Sequence, residues 1–201
     1  MENERLIIGV DIDGVIVDFI SEFIKAYHKR YPRFRKIKKE MIARHNIGSI
    51  IGLFDEEIID LIEHTTLFHE LPLIEGADIT LTKLAEENDI YICTARPEHH
   101  RERTIDMLSQ YNIPYKKLIF RGRNKKLEVI LKELPRFDIF IEDNIAEAIH
   151  LSKLVKRVLV FRQPWNDNCL NVRKTLKYVS SWDEIYEAIG EYRKSLLPSL
   201  L

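Results

Sequence analysis

Apolar residues along this chain gather into five short runs, Leu6–Val10, Ile90–Cys93, Leu118–Phe120, Ile139–Ile141 and Val158–Phe161, each followed by polar residues. Runs of this length without alternation read as strands buried on both faces. Between the later runs, apolar residues recur at helical spacing. Leu81, Leu84 and Ala85 make one face, and Ile105, Leu108 and Tyr111 another. Leu127, Ile130, Leu131 and Leu134 make a third, and Ile145, Ala148 and Ile149 a fourth. A last helix opens with Ser181 and Glu184 in capping-box spacing and carries Trp182, Ile185, Tyr186 and Ile189 on one stripe.

Strands alternating with helices predict an α/β fold: a Rossmann-like, parallel, five-stranded sheet flanked by helices, with right-handed crossovers. The first connection breaks the rhythm. About 75 residues separate the first two runs, far more than one crossover needs. Its texture is helical. Val17, Ile20, Ile24 and Tyr27 lie on one side of the first helix and Phe19 and Phe23 on another, so that helix is covered twice. We read residues 18–74 as a small helical cap inserted after strand one, continuing through Lys39–Asn46 and Asp55–Thr65. Residues 1–17 and 75–195 then form the core domain.

Composition narrows the class. With 45% hydrophobic residues the chain can pack a core, and a net charge of −1 argues against binding polyanions through bulk charge. Cys93 and Cys169 are far apart and form neither a metal-ligand pair nor a disulfide framework, which points to a reducing cytoplasm. The opening MENER is unlike a signal peptide, and no apolar stretch approaches the roughly 18 residues of a membrane span. No membrane partner is expected, and no pattern speaks to oligomeric state.

The chemistry concentrates where the first run stops, at Asp11, Asp13 and Gly14. A buried strand does not end in two carboxylates without compensation, because an unpaired charge away from water is costly. A hard cation such as Mg²⁺ supplies that compensation. Gly14 lets the backbone turn sharply past the ion. Ligands of open parallel sheets sit beyond the carboxyl ends of the strands. There the second run delivers Thr94, Ala95 and Arg96, and the third leads to Arg121 and on to Lys125 and Lys126. The fourth run delivers Glu142, Asp143 and Asn144, and the fifth leads to Trp165 and Asn166. Acids, a hydroxyl and lysines on one rim suit a phosphoryl group.

DIDGV, Thr94 in CTAR, the lysine in RNK and then IEDN, in that order, resemble the four-motif signature of the haloacid dehalogenase-like phosphohydrolases. The resemblance spans about residues 6 to 190 and is closest to the 5'-deoxyribonucleotidase-like branch, through the cap position, the TARP-type second motif and the Trp165-Asn166 pair. It implies Asp11 as a nucleophile that forms an aspartyl-phosphate and binds Mg²⁺. Asp13 would be general acid and then base, lending its backbone carbonyl to the metal. Thr94 would donate to phosphoryl oxygens, Lys125 would neutralise charge, and Asp143 would complete the metal ligands with Glu142 one shell out. The expected activity is a Mg²⁺-dependent phosphomonoesterase for a small-molecule substrate, a nucleoside or deoxynucleoside monophosphate. A polynucleotide end phosphatase and a sugar-phosphate phosphatase or mutase stand as alternatives. Retention of Asp13 argues against dehalogenation.

Other residues carry two readings. Lys125 is preferred to Lys126 because helical spacing from Leu127 turns Lys126 towards the helix body. Arg96 suits helix entry before Pro97 or a bidentate grip on substrate, and Phe19 suits core packing or contact with the substrate beside Ala95. His99 and His100 look like metal ligands, but adjacent helical residues point apart, which favours a solvated helix start. The run Lys29–Lys39, with seven basic residues around Tyr31 and Phe34, reads first as a solvated face that draws anions towards the cleft. Nucleic acid is the less favoured partner for it.

Overall fold

Strand β1, Leu6–Val10, lies at the centre of one parallel sheet in the computed structural model, which describes residues 4–44, 47–63, 65, 67–68, 71–122, 126–133, 136–167 and 175–196, apart from the side chains of residues 126 and 127. On one side β1 pairs with β2 (Asn88–Thr94), which pairs with β3 (Lys117–Phe120). On the other it pairs with β4 (Ile139–Glu142), then β5 (Arg157–Phe161) and β6 (Leu176–Val179). The order β3-β2-β1-β4-β5-β6 reverses direction between β1 and β4, where α/β sheets open a binding crevice.

The sheet therefore has six strands rather than the expected five. The missed strand is an edge strand of four residues, LKYV, with only its first and last residues buried, so it offers no continuous apolar run. The central strands show why the other five were legible. Ile8, Val10, Ile139, Phe140 and Ile141 are fully buried because helices cover both faces of the sheet. Gly9 is the exception in size, because a Cβ there would meet the Phe140 ring at 2.3 Å.

The connection from β1 to β2 holds helices α1 (Phe19–Arg30), α2 (Gly48–Ile51) and α3 (Asp55–Glu63), followed by α4 (Ala77–Glu87) against the sheet. The expected helix over Lys39–Asn46 reduces to a single 3-10 turn at Lys39–Met41, with residues 45 and 46 outside the described set. Asp18 caps α1, its carboxylate accepting from the Ser21 amide and hydroxyl. Burial pulls the Asp18 carboxyl up, but Ser21 and Lys39 outweigh it and hold the group below the usual range. The chain enters and leaves these helices through paired backbone: Val17 bridges Leu73, and the Ile74 amide donates to the Ile16 carbonyl at 2.8 Å. Phe23, Ile24, Tyr27, Ile37, Ile42, Leu53, Leu61 and Leu67 pack into their own apolar cluster, joined by Trp165 from beyond β5.

The remaining helices are α5 (Arg101–Gln110), α6 (Lys126–Glu133), α7 (Ile145–Leu151) and α8 (Trp182–Leu196). Two apolar positions depart from the expected stripes. Leu131 and Tyr186 are about half exposed, while Ala188 and Tyr192 complete the buried face of α8. Ser181 caps α8 as expected, the Glu184 amide donating to its hydroxyl, but the Glu184 carboxylate accepts from the Ser180 amide, one residue before the cap.

Candidate active site

Registry brings the first and fourth motifs side by side. Val10 lies opposite Ile141, and the Asp11 amide donates to the Ile141 carbonyl at 3.0 Å, so Asp11 meets the chain where Glu142 and Asp143 leave the sheet. Carboxylate oxygens of Asp11, Glu142 and Asp143 all lie within 4.8 Å of one another, and all three residues are buried. Three buried carboxylates would repel strongly without a cation, and an all-oxygen donor set suits a hard divalent ion. The residues present therefore fit the expected metal. Glu142, set one shell out by the sequence reading, stands in the cluster itself.

Close packing holds the cluster in place. At Gly14 φ is +85°, and a Cβ would fall 2.2 Å from the Asp143 carboxylate. The Trp165 indole N–H donates to Asp143 Oδ2 at 3.0 Å. Asn166, fully buried, donates from Nδ2 to the backbone carbonyls of Asp143 and Phe161. Gln163 and Trp182 pin the loop after β1 by donating to the carbonyls of Gly14 and Val15. Trp165 and Asn166 thus act on the fourth motif rather than forming only a rim, and Gln163 and Trp182 join them. Nothing in the sequence marked the last two, because their roles depend on backbone carbonyls far away along the chain.

Asp13 stands outside the carboxylate cluster. Both its oxygens accept from Arg96, Nε at 2.9 Å and Nη2 at 2.7 Å. Arg96 is itself buried, with Nη1 on the Thr104 hydroxyl and the guanidinium 4.4 Å from the Phe68 ring centre. Thr94 is fully buried, and its hydroxyl accepts from the Arg96 amide at 3.2 Å. Lys125, expected to neutralise the phosphoryl group, lies outside the described residues, as does the side chain of its competitor Lys126.

Over the carboxylates opens a cavity of about 290 Å³. Asp11, Asp13, Gly14, Ala95, Arg96, Glu142 and Asp143 form its polar side. Phe19, Ile20, Ile62, Phe68 and Trp165 form most of the apolar wall, so Phe19 and Ala95 both reach the space assigned to them. Arg121, at the end of β3, also lines it; the sequence placed it on this rim without giving it a role.

A parallel sheet carrying an acid cluster at its β1/β4 crevice has the fold shared by haloacid dehalogenase-like proteins. The chain belongs to the 5' nucleotidase, deoxy (pyrimidine), cytosolic type C protein family, whose model matches residues 5–195. A nucleotidase of Clostridium acetobutylicum is 30% identical over 187 residues, covering 91% of this chain and 93% of that relative. Among solved structures, a haloacid dehalogenase family hydrolase from Deinococcus radiodurans with bound phosphate and sodium superposes with a TM-score of 0.69 at 15% identity, covering 96% of this chain and 97% of its own. A haloacid dehalogenase-type protein of Bacillus subtilis bound to magnesium gives 0.60 at 16% identity, covering 92% and 99%.

Proposed function

We propose that this phosphatase is a Mg²⁺-dependent 5'-nucleotidase acting on nucleoside or deoxynucleoside monophosphates through an aspartyl-phosphate at Asp11. The observation that carries the reading is one cavity with two chemistries: a floor of three convergent carboxylates and a wall of Phe19, Phe68, Trp165, Ile20 and Ile62. The floor suits a metal-bound phosphoryl group, and the wall suits a flat, apolar-faced base. The magnesium-bound relative is consistent with that cation. Residues 18–74 act as a cap over the core of residues 1–17 and 75–195.

Asp11, Asp143 and the Asp13 carbonyl would hold the cation, with Glu142 beside them. Bound there, the ion would neutralise oxyanion charge on the phosphoryl group. An Asp11 oxygen attacks phosphorus and the ester P–O bond breaks. The leaving alkoxide takes its proton from the Asp13 carboxyl. Asp13 then removes a proton from the water that attacks the aspartyl-phosphate, the bond from phosphorus to Asp11 breaks, and inorganic phosphate leaves. Arg96 grips both oxygens of the ionised Asp13, the state that takes the proton from water, and for the acid step Asp13 must free one oxygen from that fork to carry a proton. The Thr94 hydroxyl accepts from the Arg96 amide and so keeps its own proton to donate to a phosphoryl oxygen.

Turnover of a nucleoside monophosphate panel and a chromogenic phosphate ester, with and without Mg²⁺, tests the proposal. Asp11→Asn is expected to abolish phosphate release, and Asp13→Asn to slow it by about 10²–10⁴-fold. Full activity of Asp11→Asn, or activity indifferent to chelators, would overturn the mechanism. Preference for sugar phosphates over every nucleotide would overturn the substrate class.

A further inference from the structure

A second convergence of metal-ligating atoms lies outside the carboxylate cluster. His99 and His100 occupy the 3-10 turn Glu98–His100 that follows β2, and Glu63 ends helix α3 of the insertion. Both imidazole Nε2 atoms reach the same carboxylate oxygen, Glu63 Oε1, at 2.8 Å from His99 and 3.0 Å from His100. The rings lie 4.2 Å apart, centre to centre. The tight turn defeats the expectation that adjacent residues point apart, because its geometry is not that of an α-helix. The two rings differ in exposure, the His99 side chain being 61% exposed and that of His100 2%.

We propose that Glu63, His99 and His100 form a binding site for a borderline divalent transition metal such as Zn²⁺, which ties α3 to the turn after β2. Two imidazoles and one carboxylate are the donor set of an open zinc site, with the fourth position left to water. Imidazole selects such ions over Mg²⁺, which prefers oxygen. The exposed side of His99 supplies an entry path.

Metal binding moves each ring proton from Nε2 to Nδ1. For His99 that nitrogen can face water. For His100 it is buried with no hydrogen-bond partner, so the displaced proton gains nothing there. Affinity is therefore expected to fall below that of a closed structural zinc site. The site also touches the cavity. Phe68 packs its ring 4.6 Å from His100 and 4.4 Å from the Arg96 guanidinium, and Ile62, beside Glu63, lines the cavity wall. An ion here holds the wall residue Ile62 against the core.

Equilibrium dialysis of the full-length protein with Zn²⁺, in saturating Mg²⁺ to fill the carboxylate cluster, tests the proposal, with Co²⁺ absorption as a readout of imidazole ligation. One Zn²⁺ per chain is expected, retained in Asp11→Asn. Loss of an outer-shell partner alone weakens metal sites by about 10–100-fold, so His99→Ala and Glu63→Gln, which leave the buried His100 in place, are expected to weaken binding by about 100-fold or more. Zinc bound equally by both variants, zinc lost in Asp11→Asn instead, or no zinc bound in excess Mg²⁺ would each overturn the proposal.

Discussion

Asp143 is held from three directions: by the missing side chain of Gly14, by the indole of Trp165 and by the amide of Asn166 on its backbone carbonyl. Each can be removed singly. Trp165→Phe keeps the packing but loses the N–H that orients one carboxylate oxygen. Supporting hydrogen bonds of this kind are worth about 10–100-fold in metal affinity. The Mg²⁺ concentration for half-maximal activity is therefore expected to rise by about that factor, while the Mg²⁺-saturated rate changes little. Gly14→Ala must place a Cβ within 2.2 Å of the Asp143 carboxylate at a φ of +85°, so it is expected to lose activity that no Mg²⁺ concentration restores. Arg96→Lys replaces a planar fork with a point charge and cannot hold both Asp13 oxygens. Its expected signature is a fall in kcat and a changed pH–rate profile, with the KM for substrate little altered, since Arg96 spends its fork on Asp13.

Among the elements, the connection between β1 and β2 matters most. Its two ends run side by side at Ile16–Asp18 and Pro72–Ile74, so helices α1 to α3 hang from a paired stem beside the loop after β1. Trp165, from beyond β5, joins the two regions, because it touches both Asp143 and the cluster around Phe23 and Tyr27. Six of the seven basic residues in Lys29–Lys39 are exposed, as a solvated face requires, whereas Lys39 is partly covered and pairs with Asp18 at 2.9 Å. At the other end of the chain, Ser181 closes the first turn of α8 against the sheet. Ser181→Ala removes that cap and is expected to cost about 1 kcal/mol, a fall of about 2–4 °C in Tm for a chain of this size. Thermal unfolding measures it, with activity at low temperature unchanged.

For the molecule as a whole, one buried charge ties the sheet together away from the site. Asp138, fully buried just before β4, accepts from the Ile7 amide of β1 at 2.9 Å and pairs with Arg136 and Lys156. Burial alone would raise its pKa, but the Ile7 amide, Lys156 and Arg136 outweigh burial and leave the carboxyl below the usual range. A depressed native pKa adds stability above the ordinary aspartate range and loses it as pH falls through the native value. Asp138→Asn is therefore expected to destabilise the protein by about 1–3 kcal/mol near neutral pH. That gap should close on acidification in urea unfolding series. Among the described residues no helix is long and apolar enough to cross a membrane.

Local pattern was enough for much of this molecule. The five apolar runs, the alternation with helices, the long connection between β1 and β2 and the acids at the ends of β1 and β4 were all legible, because a strand buried on both faces must be apolar and must stop where a charge appears. Edge strand β6 was not, since half of its short length faces outward. The partners of each acid also belong to tertiary structure. Arg96 grips Asp13 from 83 residues away, Trp165 reaches Asp143 across 22 residues of sequence separation, and Glu63 gathers two histidines from a turn 36 and 37 residues away. Hydrogen bonds depend on where side chains meet in space, and no periodicity along the chain records that. The sequence by itself determined the apolar strands and the acids at their ends, and only the folded chain decided what holds each of those acids in place.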